Sequence, residues 1–525
     1  MTAVRCAVTL CFLVAALPAA VCGQEPSAPP PPLIDTIIVV TQDIFRPEEA
    51  QANGLFRVMN ALHFTTRPTV VWHELLFKQG EPYDSARVAE TERNLRARGL
   101  FRQVSIDSMT VGDRLIVLVE TNDGWTTELV LNANFTGGEF NWALGGIERN
   151  FIGTGARVGV VYRDEPDRTA LRLLGGMDRI RGTRAGVDGY YDNLSDGSFG
   201  GWTGGVPYRS FGDRWALELP GAAGNQRILQ FRDGDSLQTY RRRLFWQSTG
   251  VSYAPIAGAG GYVRLGAVGQ IKREEYMLWT ADPSTVPDTV TGAVGVFVDA
   301  MKPRYMVVTH YNGFAREEDV DLSMRLTLGV WLAPDAWGYE RTGIAPGFEL
   351  QAGTSIGRHF AKIAASGHGL FTSAGLDSGQ VRVTATAAAR FYPRHSTVLH
   401  VQAGALKNAA PGSEFDLGSG FGPRAFPAHA FTGERMAFAI LEHRAFLIDQ
   451  LFGMLGLGFA GFLDYGGAWF ADQPSRLGGD VGVGLRFGST RSTAANVGRL
   501  DLAYRFGEGF EGNRWVVSFG QQFPF

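Results

Sequence analysis

The sequence predicts a mostly β protein, a transmembrane antiparallel β-barrel of about sixteen strands preceded by one small α+β domain. Three observations lead to this fold class. An export signal opens the chain, apolar and polar residues alternate throughout 126–525, and cysteine is confined to the first 23 residues. The formal net charge of −3 over 525 residues excludes a generally basic nucleic-acid-binding protein, so no nucleic-acid partner is expected.

The first segment of the chain, 1–23, has the features of a secretory signal peptide. Arg5 supplies a positive charge, an apolar stretch runs from Ala7 to Leu17, and small residues follow as far as Gly23. Cleavage after Gly23 or after Ala20 fits this pattern. An uncleaved membrane anchor is the alternative, but the apolar stretch is too short to cross roughly 30 Å of hydrocarbon.

All three cysteines of the chain, Cys6, Cys11 and Cys22, lie inside the predicted signal peptide. If cleavage follows Gly23, the mature protein has neither a thiol nor a disulfide. Lipidation of Cys22 at a new N-terminus is an alternative that the sequence leaves open, although Val21 is unfavourable just before a lipidated cysteine.

A Pro-rich linker, 24–33, precedes a segment with the pattern of a small α+β domain, 34–122. Gly99 is suited to end its last helix. The predicted strands are 34–40, 101–108 and 114–120, and the predicted helices are 48–62, 69–77 and 84–98.

From residue 126 to 525 the pattern is that of membrane-spanning strands. In Leu322–Leu332, the even-numbered residues are apolar and share one face, whereas Ser323, Arg325, Thr327 and Gly329 share the other. A soluble β-sandwich also alternates. The unbroken length, the mixture of Gly with charge on the polar face and the export signal favour a barrel, because only a closed sheet satisfies every backbone group in lipid. The same alternation recurs in 157–163, 481–487 and 500–506.

The C-terminal strand ends on an aromatic residue and presents one apolar face. This resembles the assembly signal of outer-membrane barrels, and it places the protein in the bacterial outer membrane, with the N-terminal domain in the periplasm. The residues of this face are Trp515, Val517, Phe519, Phe523 and Phe525.

Four stretches together resemble the BamA/TamA-like outer-membrane assembly barrels of the bacterial surface antigen type. Residues 34–122, with the run LRARGLFRQV at 95–104, are similar to a single polypeptide-transport-associated (POTRA) domain. The other three stretches are GIERNFIGTG at 146–155, GPRAFP at 422–427 followed by FTGER at 431–435, and FLDYG at 462–466.

The resemblance implies roles for individual residues. Arg424 matches an arginine on a loop that folds into the barrel, and Asp464 matches the wall aspartate that holds it. Phe426 and Gly433 match the rest of the loop motif, and Glu442 matches a second acidic position on the wall. Two positions depart from the family pattern, because Pro423 replaces an aliphatic residue and Ala425 replaces Gly, which is unfavourable if the backbone there needs a positive φ.

The resemblance also implies a function in the insertion or translocation of polypeptides. Unfolded outer-membrane or secreted polypeptides would be the clients, with the lipid bilayer, accessory lipoproteins and periplasmic chaperones as further partners. A client strand would add to the edge of 101–108 or 34–40. It would then meet the seam between 127–136 and 514–525, where Gly520 and Pro524 weaken the pairing.

Two alternatives to an insertase stay open. One is a two-partner-secretion pore, whose usual second POTRA domain and plug helix do not fit before residue 34. The other is a passive channel or structural barrel. An enzyme, a cofactor and a metal site are not expected, because Gly153–Gly159 lacks phosphate-loop spacing and Ser366 with His368 has no third partner nearby. His395 and His400 fall on opposite faces of a strand.

Overall fold

The computed structural model describes residues 31–521, apart from 137–138, 233, 281, 283, 419–420 and 493–496. The predicted signal peptide, most of the linker, Phe523 and Phe525 therefore lie outside the described residues. None of the helices in the described ranges is long and apolar enough to cross a membrane. Two are 3₁₀ helices, Ile180–Gly182 and Asp335–Trp337, and the α-helices are α1 (Pro47–Ala52), α2 (Gly54–Leu62), α3 (Pro68–Trp72) and α4 (Ser85–Ala97).

The N-terminal unit is a three-stranded sheet covered by helices. Its strands are β1 (Ile34–Gln42), β2 (Phe101–Val111) and β3 (Arg114–Asp123), in the order β1-β3-β2. β1 runs parallel to β3, and β2 runs antiparallel to it. Helix α4 begins where the sequence predicts, because the Asp84 side chain accepts hydrogen bonds from the backbone N–H groups of Ala86 and Arg87 at 2.9 and 3.3 Å.

Two of the predicted helices are too long. The single helix expected over 48–62 is broken at Asn53, whose side chain accepts a hydrogen bond from the backbone N of Leu55 at 3.0 Å and caps α2. Asn favours caps over helix interiors for this reason. The helix expected over 69–77 ends at Trp72, and the N–H of Leu76 is donated to Thr91 Oγ1 at 3.2 Å instead of a helical carbonyl.

The rest of the chain forms one closed barrel with two inserted hairpins. In the inserted hairpins, Tyr305–Thr309 pairs with Glu317–Asp321 and Phe415–Leu417 pairs with Phe431–Gly433. The strands are β4 (Thr127–Thr136), β5 (Glu139–Phe151), β6 (Ala156–Asp164), β7 (Thr169–Met177), β8 (Gly186–Leu194), β9 (Gly197–Val206), β10 (Trp215–Glu218), β11 (Gly221–Arg232), β12 (Asp235–Gly258), β13 (Gly261–Leu278), β14 (Thr289–Lys302), β15 (Tyr305–Thr309), β16 (Glu317–Asp321), β17 (Met324–Ala333), β18 (Gly343–Ile356), β19 (His359–Thr372), β20 (Gly375–Ala389), β21 (His395–Lys407), β22 (Phe415–Leu417), β23 (Phe431–Gly433), β24 (Arg435–Leu451), β25 (Leu455–Trp469), β26 (Gly478–Ser489), β27 (Val497–Gly507) and β28 (Trp515–Gln521).

The antiparallel barrel is confirmed, but it has more strands than predicted. In the described residues 21 strand segments close the barrel. β10 and β11 both pair with β9 and β12, so they form one strand interrupted at Leu219 and Pro220, and the barrel has twenty strands. The sequence-based count of about sixteen assumed about 25 residues per strand and connection. That is too many, because several hairpins close through two residues, at 195–196, 259–260, 357–358 and 373–374.

The alternating pattern places apolar side chains on the outside of the barrel. Those of β17 are exposed at Met324, Leu326, Leu328, Val330 and Leu332. Leu322 was expected on the same face, and that prediction is wrong. It is buried in a cluster with Val308 and Val320 before the strand begins, because the preceding chain folds back and Ser323 Oγ accepts from the backbone N of Arg304 at 3.0 Å.

The two ends of the barrel differ in what they contact. Turns at one end, here called the proximal end, contact the N-terminal unit. Arg98 binds Asp178 at 2.6 Å, and Asn94 Nδ2 donates to the carbonyl of Arg209 at 3.0 Å. The opposite end is called the distal end.

The first and last barrel strands, β4 and β28, are neighbours where the sheet closes. This is the seam that the sequence predicted between 127–136 and 514–525. In its described part β28 covers seven residues and pairs with β27 on its other side.

Candidate functional site

Arg424 is buried inside the barrel and bonded to its wall. It lies on the distal loop, defined as residues 408–434 between β21 and β24, and only 2 % of its surface is exposed. Its Nε donates to Asp464 Oδ2 at 2.6 Å and its Nη2 donates to Asp464 Oδ1 at 3.0 Å. This bidentate geometry fixes the plane of the guanidinium as well as its position. The structure thus brings together the two residues that the sequence motifs paired.

Glu442 joins this pair to two further arginines. Its Oε2 accepts from Arg424 Nη1 at 2.5 Å and from Arg486 Nη2 at 3.1 Å, and its Oε1 accepts from Arg444 Nε at 2.8 Å. The guanidinium of Arg424 also lies 3.9 Å from the centre of the Phe462 ring, an arrangement that adds a cation–π contact. Glu442 is therefore the shared acceptor of the cluster.

The structure adds acidic and basic residues that the motifs did not single out. Asp501 accepts from Arg486 Nη1 at 2.5 Å, and Asp480 accepts from the backbone N of Ala425 at 3.2 Å. Arg486 and Asp501 stand on the polar side of strands whose alternation the sequence predicted. The alternation therefore indicated that both residues face the lumen, but it could not identify the residues that they bind. We call the following set the lumenal cluster: Arg424, Glu442, Arg444, Asp464, Asp480, Arg486 and Asp501.

Every member of the lumenal cluster is at most 2 % exposed. Removing a charge from water costs several kcal/mol unless partners replace the solvent. The cluster contains both signs of charge in close contact, and the ion pairs of Arg424 and Arg486 with Glu442, Asp464 and Asp501 replace the lost solvation. Loss of one member would leave others buried without a counter-charge.

The rest of the loop motif explains how the loop fits. Ala425 is absent from the residues with positive φ, and Gly422 instead takes the left-handed conformation at φ +84, so Ala is tolerated at 425. Gly433 permits close packing, because a Cβ there would overlap the backbone of Trp469. Phe426 is fully buried against Phe431, with ring centres 5.1 Å apart.

A histidine anchors the outer part of the distal loop. His429 Nδ1 lies 2.6 Å from Asp416 Oδ2, and its Nε2 lies 3.2 Å from Asp167 Oδ2 in the turn between β6 and β7. Its ring stacks on Phe231 with centres 3.6 Å apart. Burial alone would lower the pKa of His429, but the hydrogen bonds to Asp167 and Asp416 outweigh it and raise the pKa to about 9.

We expect this anchor to weaken at high pH. Because the pKa of His429 is higher in the folded protein than its ordinary value of 6.5, the stability that it contributes is present below that value and is lost as the pH rises through about 9. Hydrogen exchange of the loop around 428–430 should therefore speed up between pH 8 and 10 beyond the intrinsic effect of hydroxide. His429→Gln should remove this extra dependence, and an unchanged pH profile in the variant would contradict the assignment.

A second inserted segment enters the barrel from the proximal end. We call residues 303–323, between β14 and β17, the proximal hairpin. Outside the barrel, Asp319 binds Arg96 of α4 through two hydrogen bonds of 2.8 and 2.9 Å. Arg93 of the same helix lies 4.6 Å from the centre of the Tyr305 ring. The hairpin is thus attached to the N-terminal unit.

The tip of the proximal hairpin reaches the opposite wall of the barrel. The carbonyl of Tyr311 accepts a hydrogen bond from Arg444 Nη1 at 2.6 Å. Phe314 packs on Phe446, with ring centres 5.1 Å apart, and on Val497 of β27. In the closed strand order β27 lies nearly halfway round from β17, so the hairpin crosses the lumen.

The distal loop crosses in the same way from its own end. The loop leaves the barrel wall between β21 and β24. Its Glu414 side chain accepts a hydrogen bond from the backbone N of Phe231 at 3.0 Å, and Phe231 belongs to β11 on the far side of the barrel. Two segments therefore span the lumen from opposite ends. Arg444 bonds both the hairpin and Glu442, and Glu442 bonds Arg424 of the loop, so one unbroken chain of hydrogen bonds connects the two segments.

The predicted C-terminal face lies partly in the described residues. Trp515 and Val517 are exposed on the outside of the barrel, and Phe519 is half-buried beside Phe487 with ring centres 6.0 Å apart. Phe523 and Phe525 lie outside the described residues. Over the described ranges, no group of three or more His, Cys, Asp or Glu side chains is placed to hold a metal ion.

No protein-family model and no curated protein sequence matches the chain. The fold is a closed antiparallel barrel preceded by an α+β unit, and its similarities are to solved barrel structures at 11 % identity. BamA from Haemophilus ducreyi lacking POTRA domains 1-3 aligns over 94 % of this chain and 84 % of its own, with a TM-score of 0.41. CdiB from Acinetobacter baumannii aligns over 94 % and 74 %, with a TM-score of 0.45. CdiB from Escherichia coli aligns over 96 % and 92 %, with a TM-score of 0.48.

Proposed function

We propose that the chain is a bacterial outer-membrane barrel that assists the insertion or translocation of polypeptides without enzymatic chemistry, with its N-terminal unit in the periplasm. The observation that carries this proposal is the position of the anchored loop. Arg424 is bonded through its cluster to β24, β25, β26 and β27, which are the strands that lead directly to the seam at β28. The loop therefore fixes one side of the seam while the other side, β4, continues from the N-terminal unit.

The N-terminal sheet offers edges to which a client strand could add. In the described sheet, β1 and β2 each pair only with β3 and so occupy its two edges. Addition of a strand to such an edge uses backbone hydrogen bonds, which tolerate many client sequences. These are the two strands that the sequence analysis proposed for client capture.

The seam supplies the place where a client would enter the bilayer. The described part of β28 is seven residues long, whereas its neighbour β27 has eleven. Gly520 adds no side chain to the packing near its end. A short final strand opens more readily than the long hairpins elsewhere in the barrel, such as β12 with β13.

A passive channel is a weaker explanation of the same barrel. Both the distal loop and the proximal hairpin cross the lumen, and buried ion pairs hold them there. A barrel that served only to conduct solutes would need neither segment. An accessory role for these segments in regulating the seam fits an insertase better.

A disulfide across the seam is the direct test. Val517→Cys on β28 would be combined in turn with Leu129→Cys, Leu131→Cys or Ala133→Cys on β4, in a chain that begins after Gly23 and so has no other thiol. The oxidised protein in lipid vesicles should lose the insertion of an unfolded small outer-membrane barrel, because the seam cannot part. Reduction should restore insertion, which is measured by protease protection of the client.

The matched control uses the other neighbour of the same strand. Leu502 of β27 lies directly opposite Val517, so Leu502→Cys with Val517→Cys joins β28 to a strand that is not part of the seam. This control should insert the client normally when oxidised. Full activity of a verified seam disulfide would rule the mechanism out.

A further inference from the structure

One face of helix α2 is apolar and exposed. Leu55, Val58 and Leu62 follow one another at helical spacing, and each exposes more than half of its side chain. Phe64, just after the helix, is exposed as well. Such a stripe normally packs against a protein core. In α2, however, another face of the helix packs on the protein, where the Asn60 side chain forms hydrogen bonds with the backbone of Phe45.

Two turns at the proximal end of the barrel also carry exposed apolar residues. Ile152, between β5 and β6, and Phe452, between β24 and β25, both adopt left-handed backbone conformations at φ 54. A β-branched or bulky residue rarely does so, and each is followed by a glycine that also has a positive φ. Both apolar side chains are exposed, Phe452 by 81 %. Because both side chains are exposed, packing inside the protein does not explain a large apolar residue at either position.

Helix α2 and the segment that follows it, 63–67, lie against the two turns. The N–H of Arg67 donates to the carbonyl of Gly153 at 3.0 Å, just after the tip of the first turn. At the second turn a Cβ on Gly453 would lie 3.0 Å from the Phe56 ring of α2. The exposed apolar residues of the helix therefore border those of the barrel turns at the proximal rim.

This rim continues the apolar outside of the barrel. Phe151 ends β5 and Ile448 lies near the end of β24, and both are exposed on their strands. Exposed cations accompany the apolar face, at Arg57 in α2 and Arg67 beyond it. Apolar side chains with neighbouring cations are the combination that binds the surface of an anionic bilayer.

We propose that α2 lies in the surface of the periplasmic leaflet, with Leu55, Val58 and Leu62 among the lipid headgroups and upper acyl chains. This inference rests on the proposed membrane location of the barrel and adds a second, peripheral contact. The occupant of the apolar face is therefore lipid. The contact would hold the N-terminal unit beside the seam, since α2 borders the turn between β24 and β25 on one side of it and the segment after α2 borders the turn between β5 and β6 on the other.

The test compares two neighbouring positions of the helix. Val58 and Arg57 are both exposed, but their side chains point in directions about a quarter-turn apart, because successive helical residues differ by about 100°. The two variants are Val58→Cys and Arg57→Cys. Each would carry a nitroxide label on the full chain in nanodiscs of phosphatidylglycerol and phosphatidylcholine. The label at 58 should be accessible to lipid-soluble oxygen and protected from a water-soluble nickel complex, and the label at 57 should show the reverse preference.

A third label separates this inference from the proposed function. Leu500→Cys lies on the exposed apolar face of β27. If the label at 500 is in lipid while the labels at 57 and 58 are equally wet, the α2 inference is overturned and the barrel assignment stands. If the label at 500 is also wet, the membrane barrel itself is wrong. Protection at 58 that vanishes at one protein per nanodisc, or that requires added client polypeptide, would identify a second copy or a client instead of lipid and would equally overturn the inference.

Discussion

Arg424→Met should destabilise the barrel by about 3–5 kcal/mol, the range observed when one partner of a buried ion pair is removed. Methionine fills similar space without charge. It would leave the fully buried carboxylate of Asp464 without its bidentate partner and would remove one of the three arginines that bind Glu442. The change should appear as a lower urea midpoint of the tryptophan fluorescence transition in detergent micelles. It should also appear as a barrel that loses its folded electrophoretic mobility at lower temperature.

The matched control is another bidentate arginine inside the same barrel. Arg172 binds Asp192 with hydrogen bonds of 2.7 and 2.7 Å, but its side chain is 30 % exposed. Asp192 is buried but keeps Arg163 at 3.6 Å as a second basic partner, and the Arg172 side chain is already partly hydrated, so Arg172→Met should cost no more than about 1 kcal/mol. Equal losses for the two variants would show that burial of the cluster does not set its energetic importance.

Two further variants test the pairing itself. Arg424→Lys keeps the charge but cannot make the two parallel hydrogen bonds to Asp464, so it should recover only part of the lost stability. Arg424→Met combined with Asp464→Asn should cost less than the sum of the two single changes, because the second change removes a carboxylate that the first has left unpaired. Strict additivity would mean that the two residues do not act as a pair.

The outer face of the barrel could be predicted because strand alternation is a local property of the chain. Val481, Val483 and Leu485 recur every second residue, and this spacing alone puts them on one face. The same holds for Asp84, which caps the helix that begins at the next residue and binds backbone N–H groups two and three residues further on. In these cases the physical cause lies within a few residues of its effect.

The lumenal cluster could be predicted only in part, because its partners are distant in sequence. The motifs indicated Arg424 and Asp464, but the bond from Arg486 to Glu442 spans 44 residues and crosses an intervening strand. The neighbouring pair of Arg486 with Asp501 also depends on a small residue, since a Cβ on Gly484 would overlap both side chains. Such packing follows from strand register, which no single segment specifies.

The proximal hairpin was missed for a different reason. Its strands, β15 and β16, are five residues each, and the alternation from Leu322 onward looked like one uninterrupted strand. The turn at Ser323 is held by a side-chain bond to the backbone of Arg304, nineteen residues away. Only the tertiary structure shows that the chain reverses there.

Removing the proximal hairpin should expose how the lumen is closed. Lys302 and Met324 are directly paired, so residues 303–323 can be replaced by Asn-Gly, which forms the tight turn that such a pair needs. In planar bilayers this variant should still conduct poorly, because the distal loop remains anchored by Arg424 across the other end. Arg424→Met alone should likewise raise conductance only modestly, because the hairpin remains.

The combination of the two changes should give a large and stable pore. Ions pass two obstacles in series, so conductance rises steeply only when both are gone, and the combined effect should be several times the sum of the single ones. Shortening 334–342, at the other end of β17, is the matched control and should leave conductance unchanged, because most residues of that turn are exposed and do not pack inside the barrel. If hairpin removal alone opens a full-sized pore, the distal loop is not an obstacle. If the combined variant conducts no better than Arg424→Met alone, the proximal hairpin is not an obstacle to ions. Only a more-than-additive result is consistent with two independent segments that close the barrel from opposite ends.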